Sequence, residues 1–228
     1  MKNLHDLLRL YAVTDRSWIS RIPAGHHSLE QQVEEAILGG ATIIQLREKE
    51  LDDSAFTELA TRIAGVTRRY GVPLIINDNL AVALAYGADG LHIGQHDGNP
   101  RRIRSQLPAG MILGISAGTA EEARVARDAG ADYIGAGAVF PTGSKDDATH
   151  IGLEGLREVC EAVELPVVAI GGITRDNAGQ LAETGIAGIA VISAIFSDPE
   201  HTREAANGMR EAADAVCVMP ITELEGAE

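Results

Sequence analysis

Eight short apolar runs constrain this chain more than any other feature. They fall at residues 8–13, 41–47, 72–76, 90–93, 111–115, 132–138, 166–170 and 188–192, and most of them stop abruptly at polar residues or glycines. Runs this short, with little polar alternation, suit strands buried on both faces, as in a parallel sheet covered by helices. Runs two, four, six and eight follow a Gly and a small or apolar residue: Gly40-Ala41, Gly87-Ala88, Gly130-Ala131 and Gly185-Ile186. Runs three and seven open instead with Val72-Pro73 and Leu165-Pro166. This alternation implies a βαβα unit used four times, hence an α/β fold of the (β/α)8 TIM-barrel type. An open doubly wound sheet would want fewer strands and a G-x-G-x-x-G turn after the first one, which is absent. The 228 residues suit a single barrel domain over 1–228, with a core at about 8–215 and a frayed tail at 223–228.

The intervening stretches read as helices. Ser28 and Gln31 make a capping box, with Val33, Ala36 and Ile37 on the buried face and Gly39-Gly40 as the stop. A helix starts near Asp53, buries Phe56, Leu59, Ala60, Ile63 and Val66, and ends at Gly71. Further helices are expected over 81–86 and 101–107, then from a Thr119/Glu122 capping box to Gly130. Others follow at 153–163, 175–184 and 199–215.

Composition excludes several functions. A formal net charge of −14 opposes nonspecific nucleic-acid binding, which needs Lys and Arg against phosphates. No apolar stretch is long enough to span a bilayer, and the N-terminus lacks the apolar segment of a signal peptide. Cys160 and Cys217 lie far apart without a C-x-x-C or Cys/His cluster, as expected of reduced cysteines in a cytoplasmic protein. Nothing in the sequence fixes the oligomeric state, and a homo-oligomer stays open.

In a (β/α)8 barrel the working residues sit at the C-terminal ends of the strands. Those ends carry Thr14-Asp15; Gln45, Arg47 and Lys49; Asn77-Asp78; Gln95 and Asp97; and Ser116. The later ones carry Thr142, Ser144 and Lys145; Gly171-Gly172; and Ile192-Ser193. Asp78 and Asp97, ending consecutive strands, suit a hard cation such as Mg²⁺, which takes one or two carboxylates and leaves room for phosphate oxygens. The competing reading is that each caps the next helix. Gly171-Gly172 and the amides at Ser193 fall where such barrels bind phosphate, unless the glycines serve only a tight turn. Arg47, Lys49 and Lys145, with a metal at the carboxylates, would hold a diphosphate and stabilise it as a leaving group. No nucleophile stands beside a base. His92 reads as structural, Tyr11 and Trp18 as packing, and His96 as undecided.

Seven motifs occur in order: Gln45-Leu46-Arg47-Glu48-Lys49, Ile76-Asn77-Asp78, His92-Ile93-Gly94-Gln95-His96-Asp97, Gly114-Ile115-Ser116, Pro141-Thr142-Gly143-Ser144-Lys145, Ile170-Gly171-Gly172-Ile173 and Val191-Ile192-Ser193. Together, over about residues 8–215, they resemble the thiamine-phosphate synthase family. The resemblance implies a transferase that joins 4-amino-5-hydroxymethyl-2-methylpyrimidine diphosphate to hydroxyethylthiazole phosphate, releasing diphosphate. It implies Mg²⁺ on Asp78 and Asp97. It puts the pyrimidine diphosphate on Gln45, Arg47, Lys49, Asn77, Ser116 and Lys145, with Arg47, Ser116 and Lys145 as the catalytic members. It puts the thiazole phosphate on Thr142, Ser144, Gly172, Ile192 and Ser193. The implied reaction is dissociative, through a pyrimidine-stabilised carbocation, which agrees with the missing nucleophile. Two departures stand out: Gly118 where the family often has His, and Ser144 where it often has Thr.

Other readings are weaker. A thiazole tautomerase of similar sequence keeps the phosphate end and uses a histidine where Ala138 stands here. A non-catalytic barrel that binds a thiazole phosphate as a regulator would not need Asp78, Asp97 and Lys49. A sugar-phosphate isomerase would want an acid/base pair that these strand ends do not supply.

Overall fold

The computed structural model describes residues 3–16, 28–142 and 150–217. Eight parallel strands close into a barrel in sequence order: β1 (Leu10–Val13), β2 (Ile43–Leu46), β3 (Leu74–Asn77), β4 (Gly90–Ile93), β5 (Ile112–Ala117), β6 (Tyr133–Ala136), β7 (Val167–Ile170) and β8 (Gly188–Val191). β1 pairs with both β2 and β8, which completes the ring. Around it lie α1 (Leu4–Leu8), α2 (Leu29–Leu38), α3 (Asp53–Tyr70), α4 (Leu80–Tyr86), α5 (Pro100–Gln106), α6 (Ala120–Asp128), α7 (Gly152–Ala162), a 3₁₀ turn (Ala178–Leu181), α8 (Ser193–Phe196) and α9 (Thr202–Val216).

The repeat has a physical cause. Two residues after the glycine, a side-chain oxygen accepts an N–H from the first or second residue of the preceding strand. Thr42 Oγ1 takes the Leu10 N–H at 2.9 Å, and Asp89 and Asp132 take those of Leu74 and Leu113 at 2.8 and 2.7 Å. All four units also donate the N–H of this residue to the carbonyl of the preceding strand, and the fourth, with Ala187 there, keeps only that backbone bond. Pro73 and Pro166, without N–H groups, each accept a bond from a neighbouring strand through their carbonyls. These bonds lock the floor of the barrel, opposite the strand ends that carry function.

The core has two layers. Inside the barrel, Tyr11, Val13, Ile43, Ile75, Tyr133 and Val168 fill the axis. The larger layer packs the outward strand faces against the helices, as Ile44, Leu46, Leu74 and Ile76 do against Phe56, Leu59 and Ile63 of α3. Gly188 opens β8 where a Cβ would overlap the Leu8 carbonyl oxygen, so only glycine lets β8 seat against the start of β1.

Several boundaries differ from the sequence reading. Leu8 closes α1, so β1 starts at Leu10. β5 runs on through Ser116 to Ala117. The expected helix 175–184 is only the 3₁₀ turn, because Asn177 turns its side chain back: Oδ1 accepts the Thr174 N–H at 2.8 Å and Nδ2 donates to the Gly172 carbonyl at 2.8 Å. The Ser28/Gln31 box is complete, whereas Glu122 accepts from Gly118 rather than from Thr119, leaving half a box. Trp18, His26, His27 and the tail at 223–228 lie outside the described residues.

Candidate active site

The strand ends surround a cleft of about 600 Å³. It narrows to a pocket of about 30 Å³ in the barrel axis, lined by Gln45, Arg47, His92, Ser116 and Tyr133. Lys49, Gln95, Ser116, Thr142, Gly172, Ile192 and Ser193 line the wider part. Most of the described residues singled out in the sequence thus share one cavity. Ser144 and Lys145 lie outside the described residues. Asn77 ends β3 buried, Asp78 and Asp97 are exposed, and none of the three lines the cleft or the pocket.

The two carboxylates do not cap helices. Asn79 caps α4 through the Val82 N–H at 2.9 Å, and Asn99 caps α5 through the Arg102 N–H at 3.1 Å. Asp78 sits in the left-handed region at φ 61°, and its N–H donates to the His92 carbonyl at 2.8 Å. A non-glycine residue there costs about 1 kcal/mol or more, an outlier of the kind that clusters at functional sites. Asp97 Oδ2 accepts the Gly94 N–H at 2.6 Å, so β4 and the residue just after it anchor both carboxylate-bearing residues. Carboxylate oxygens from adjacent strand ends fit Mg²⁺ chemically, with water and phosphate completing the shell. Among the described residues no group of three or more His, Cys, Asp or Glu could enclose a metal.

Beneath the cleft runs a buried hydrogen-bonded chain. Gln45 Nε2 donates to Tyr11 Oη (2.9 Å), Tyr11 and Tyr133 hydroxyls meet at 2.7 Å, Tyr133 Oη meets His92 Nδ1 (2.9 Å), and His92 Nε2 meets Ser116 Oγ (3.0 Å). Burial pushes both tyrosines well above their usual range, so both hydroxyls keep their protons. The protons are then assigned by satisfying every group in the chain. Gln45 donates to Tyr11, Tyr11 to Tyr133, Tyr133 to His92 Nδ1, and His92 Nε2–H to Ser116. The Ser116 hydroxyl hydrogen is left to point into the cleft. Gly114 makes this possible, because a Cβ on it would overlap the Tyr133 hydroxyl and sit 2.5 Å from His92 Nδ1.

The opposite wall is built from backbone. Gly171 and Gly172 have φ 100° and 66°, and a Cβ on Gly172 would come 2.5 Å from the Pro141 carbonyl oxygen. Val139 and Phe140 donate their N–H groups to the Ile170 and Gly171 carbonyls, both at 3.0 Å, tying the β6 loop to the β7 loop. Ile192 precedes α8 and Ser193 opens it. Such a surface presents main-chain groups at close range.

Sequence reasoning missed Tyr11, His92 and Tyr133 as parts of the site, treating Tyr11 as packing and His92 as a lone strand histidine. The available signal was Gly114 and Gly135 inside strands, where glycine marks close approach by something large.

A closed barrel with a polar cleft at its strand ends is the architecture of a (β/α)8 barrel enzyme, and in the proton assignment above Ser116 accepts from His92 rather than giving up its proton to it. The family model described as thiamine monophosphate synthase matches residues 10–195, and the chain belongs to that family. It is 46% identical over 201 residues to the thiamine-phosphate synthase of Alkaliphilus oremlandii (strain OhILAs), covering 88% of this chain and 93% of that one. It is 48% identical over 187 residues to that of Clostridium tetani (strain Massachusetts / E88), covering 82% and 87%. The solved thiamine phosphate pyrophosphorylase of Pyrococcus furiosus superposes with a TM-score of 0.83 at 41% identity, covering 93% of this chain and 98% of that one. The chain is accordingly a transferase with the activity of a thiamine-phosphate synthase.

Proposed function

We propose that the chain joins 4-amino-5-hydroxymethyl-2-methylpyrimidine diphosphate to hydroxyethylthiazole phosphate. The bond from the methylene carbon to the diphosphate oxygen breaks and its electron pair leaves with diphosphate. The thiazole nitrogen lone pair then forms the new C–N bond, so no proton has to be removed. The observation that supports this reading is the two-sided cleft: Lys49, Gln95 and Ser116 line it together with Gly172, Ile192 and Ser193, and the carboxylates that follow β3 and β4, Asp78 and Asp97, leave helix capping to Asn79 and Asn99.

Arg47, Lys49, Asn77 and, from outside the described residues, Lys145 bind the diphosphate. Gln45 and Ser116 orient the pyrimidine, and Ser116 directs its hydroxyl hydrogen into the cleft. Gly172, Ile192 and Ser193 meet the thiazole phosphate through main-chain groups, together with Thr142 and, from outside the described residues, Ser144. Arg47, Ser116 and Lys145 are the catalytic members because they stabilise the separating charges. Mg²⁺ on Asp78 and Asp97 would supply further neutralisation of the diphosphate. No helix of the described residues is long and apolar enough to cross a membrane, and both cysteines are unpaired, which supports work in the cytoplasm.

The test is diphosphate release from the purified protein. Release should require both substrates and Mg²⁺, and Asp78→Ala should reduce it by a factor of about 10³. Release that persists after chelation, or with Asp78→Ala at the wild-type rate, would overturn the metal assignment. Thiazole-phosphate binding without any release would favour a tautomerase or a regulator.

A further inference from the structure

Glu48 is an acid that an anion site should not want. Its side chain is 4% exposed, and it sits between Arg47 and Lys49. A buried carboxylate beside a diphosphate repels it unless the charge is compensated. The structure supplies both the compensation and a reason for the acid. Glu48 Oε1 accepts two main-chain N–H groups, from Lys49 at 2.8 Å and Glu50 at 2.9 Å. These charge-assisted bonds fold residues 48–50 into a tight turn around the carboxylate. Oε2 lies 2.7 Å from Arg16 Nε. That contact is off the line of the N–H and makes no aligned hydrogen bond, so it acts as an ion pair.

Arg16 follows β1 directly, and the end of β1 is itself fastened to the end of β2. The buried Thr14 donates its N–H to the Gln45 carbonyl at 2.9 Å and accepts the Arg47 N–H at 3.2 Å. The start of α3, three residues beyond the turn, is held as well, because Asn79 Nδ2 donates to Asp53 Oδ1 at 2.7 Å. Lys49, exposed where it lines the cleft, therefore rides on a turn closed by Glu48 and paired with Arg16 after β1, and the helix that follows the turn is tied to the β3 loop.

We infer that Glu48, with Arg16, is a positioning residue that aims Lys49 at the diphosphate without touching the substrate. Binding through a lysine also costs the ordering of the loop that carries it, and fixing that backbone in advance removes this part of the cost. This inference rests on the proposed reaction for the identity of the anion, but not for its test. The probe is inorganic pyrophosphate with Mg²⁺, titrated calorimetrically into wild type, Glu48→Ala, Glu48→Gln, Lys49→Ala and the double variants.

Glu48→Ala should weaken pyrophosphate by about tenfold, yet by less than about twofold once Lys49 is already Ala. Glu48→Gln keeps an acceptor for the two N–H groups and loses the ion pair, so it should cost about threefold. Arg16→Gln should match it without adding to it. The KM for thiazole phosphate should stay within about twofold throughout. Additive losses in the Glu48/Lys49 pair, or equal rises in KM for both substrates, would overturn the inference. Should Glu48→Ala fail to fold, the Glu48→Gln/Lys49→Ala cycle measures the same coupling. Coupled losses in pyrophosphate affinity from an enzyme that forms no product would sustain the inference and overturn the reaction.

Discussion

The two walls of the cleft are built in opposite ways. From β1 to β5 the cleft is lined by side chains, Gln45, Arg47, Lys49, Gln95 and Ser116, backed by the Tyr11–Tyr133–His92 chain. From β6 to β8 it is made of main chain, with glycines at left-handed φ and loops tied by backbone hydrogen bonds. Side chains can be recharged or reoriented one at a time, whereas a backbone wall fails as a unit when a Cβ intrudes. One wall should thus respond to charge, and the other to volume.

Three substitutions test this contrast. The largest effect is expected from Asp97→Asn, which keeps an acceptor for the Gly94 N–H and removes the charge. Steady-state assays should show kcat/KM for the pyrimidine diphosphate down by about 10²-fold or more, with thiazole-phosphate KM nearly unchanged. Equal losses for both substrates would erase the distinction between the walls. Next is Gly172→Ala, which pushes a Cβ toward the Phe140 and Pro141 carbonyls and strains a φ of 66°. It should raise the thiazole-phosphate KM by about tenfold and leave pyrophosphate affinity alone. A pyrophosphate defect of the same size would mean that the walls are mechanically one.

The smallest effect lies in the alkaline limb of stability. Tyr11 and Tyr133 have folded pKa values raised above an unfolded value of 10.0. Above that value the unfolded chain releases protons that the folded one retains. Stability is therefore complete below about pH 10 and falls as pH rises, by up to about 1.4 kcal/mol per pH unit for each tyrosine. Urea titrations across pH 9 to 11 should show a shallower fall in Tyr133→Phe than in wild type. An unchanged slope would place the alkaline sensitivity elsewhere.

The barrel was legible because its repeat is local. Gly plus a small residue, then an oxygen-bearing side chain two residues after the glycine, marks the entry to β2, β4 and β6 within a few residues. Part of the cleft lining was legible for a related reason: polar residues at strand ends such as Gln45, Lys49, Gln95 and Ser116 do fall in it, whereas Asn77, Asp78 and Asp97, read the same way, do not line it. The buried chain was not. Gln45 and Tyr11 are 34 residues apart, His92 and Tyr133 are 41, and Tyr11 and Tyr133 are 122. Inside apolar runs, Tyr11 and His92 look like packing until the ring is closed and their polar atoms meet. The missing helix at 175–184 failed on a local competition, with Asn177 bonding Thr174 and Gly172 instead of letting the backbone wind.

The closure at Gly188 also carries a hazard. A substitution such as Gly188→Ala leaves the other strand pairings intact but keeps β8 from seating beside β1. The sheet would then be an open ribbon with two unsatisfied rims, each a ready template for a strand from another chain. Failure of this one join would thus appear less as a loosened enzyme than as swapped dimers and precipitate during expression.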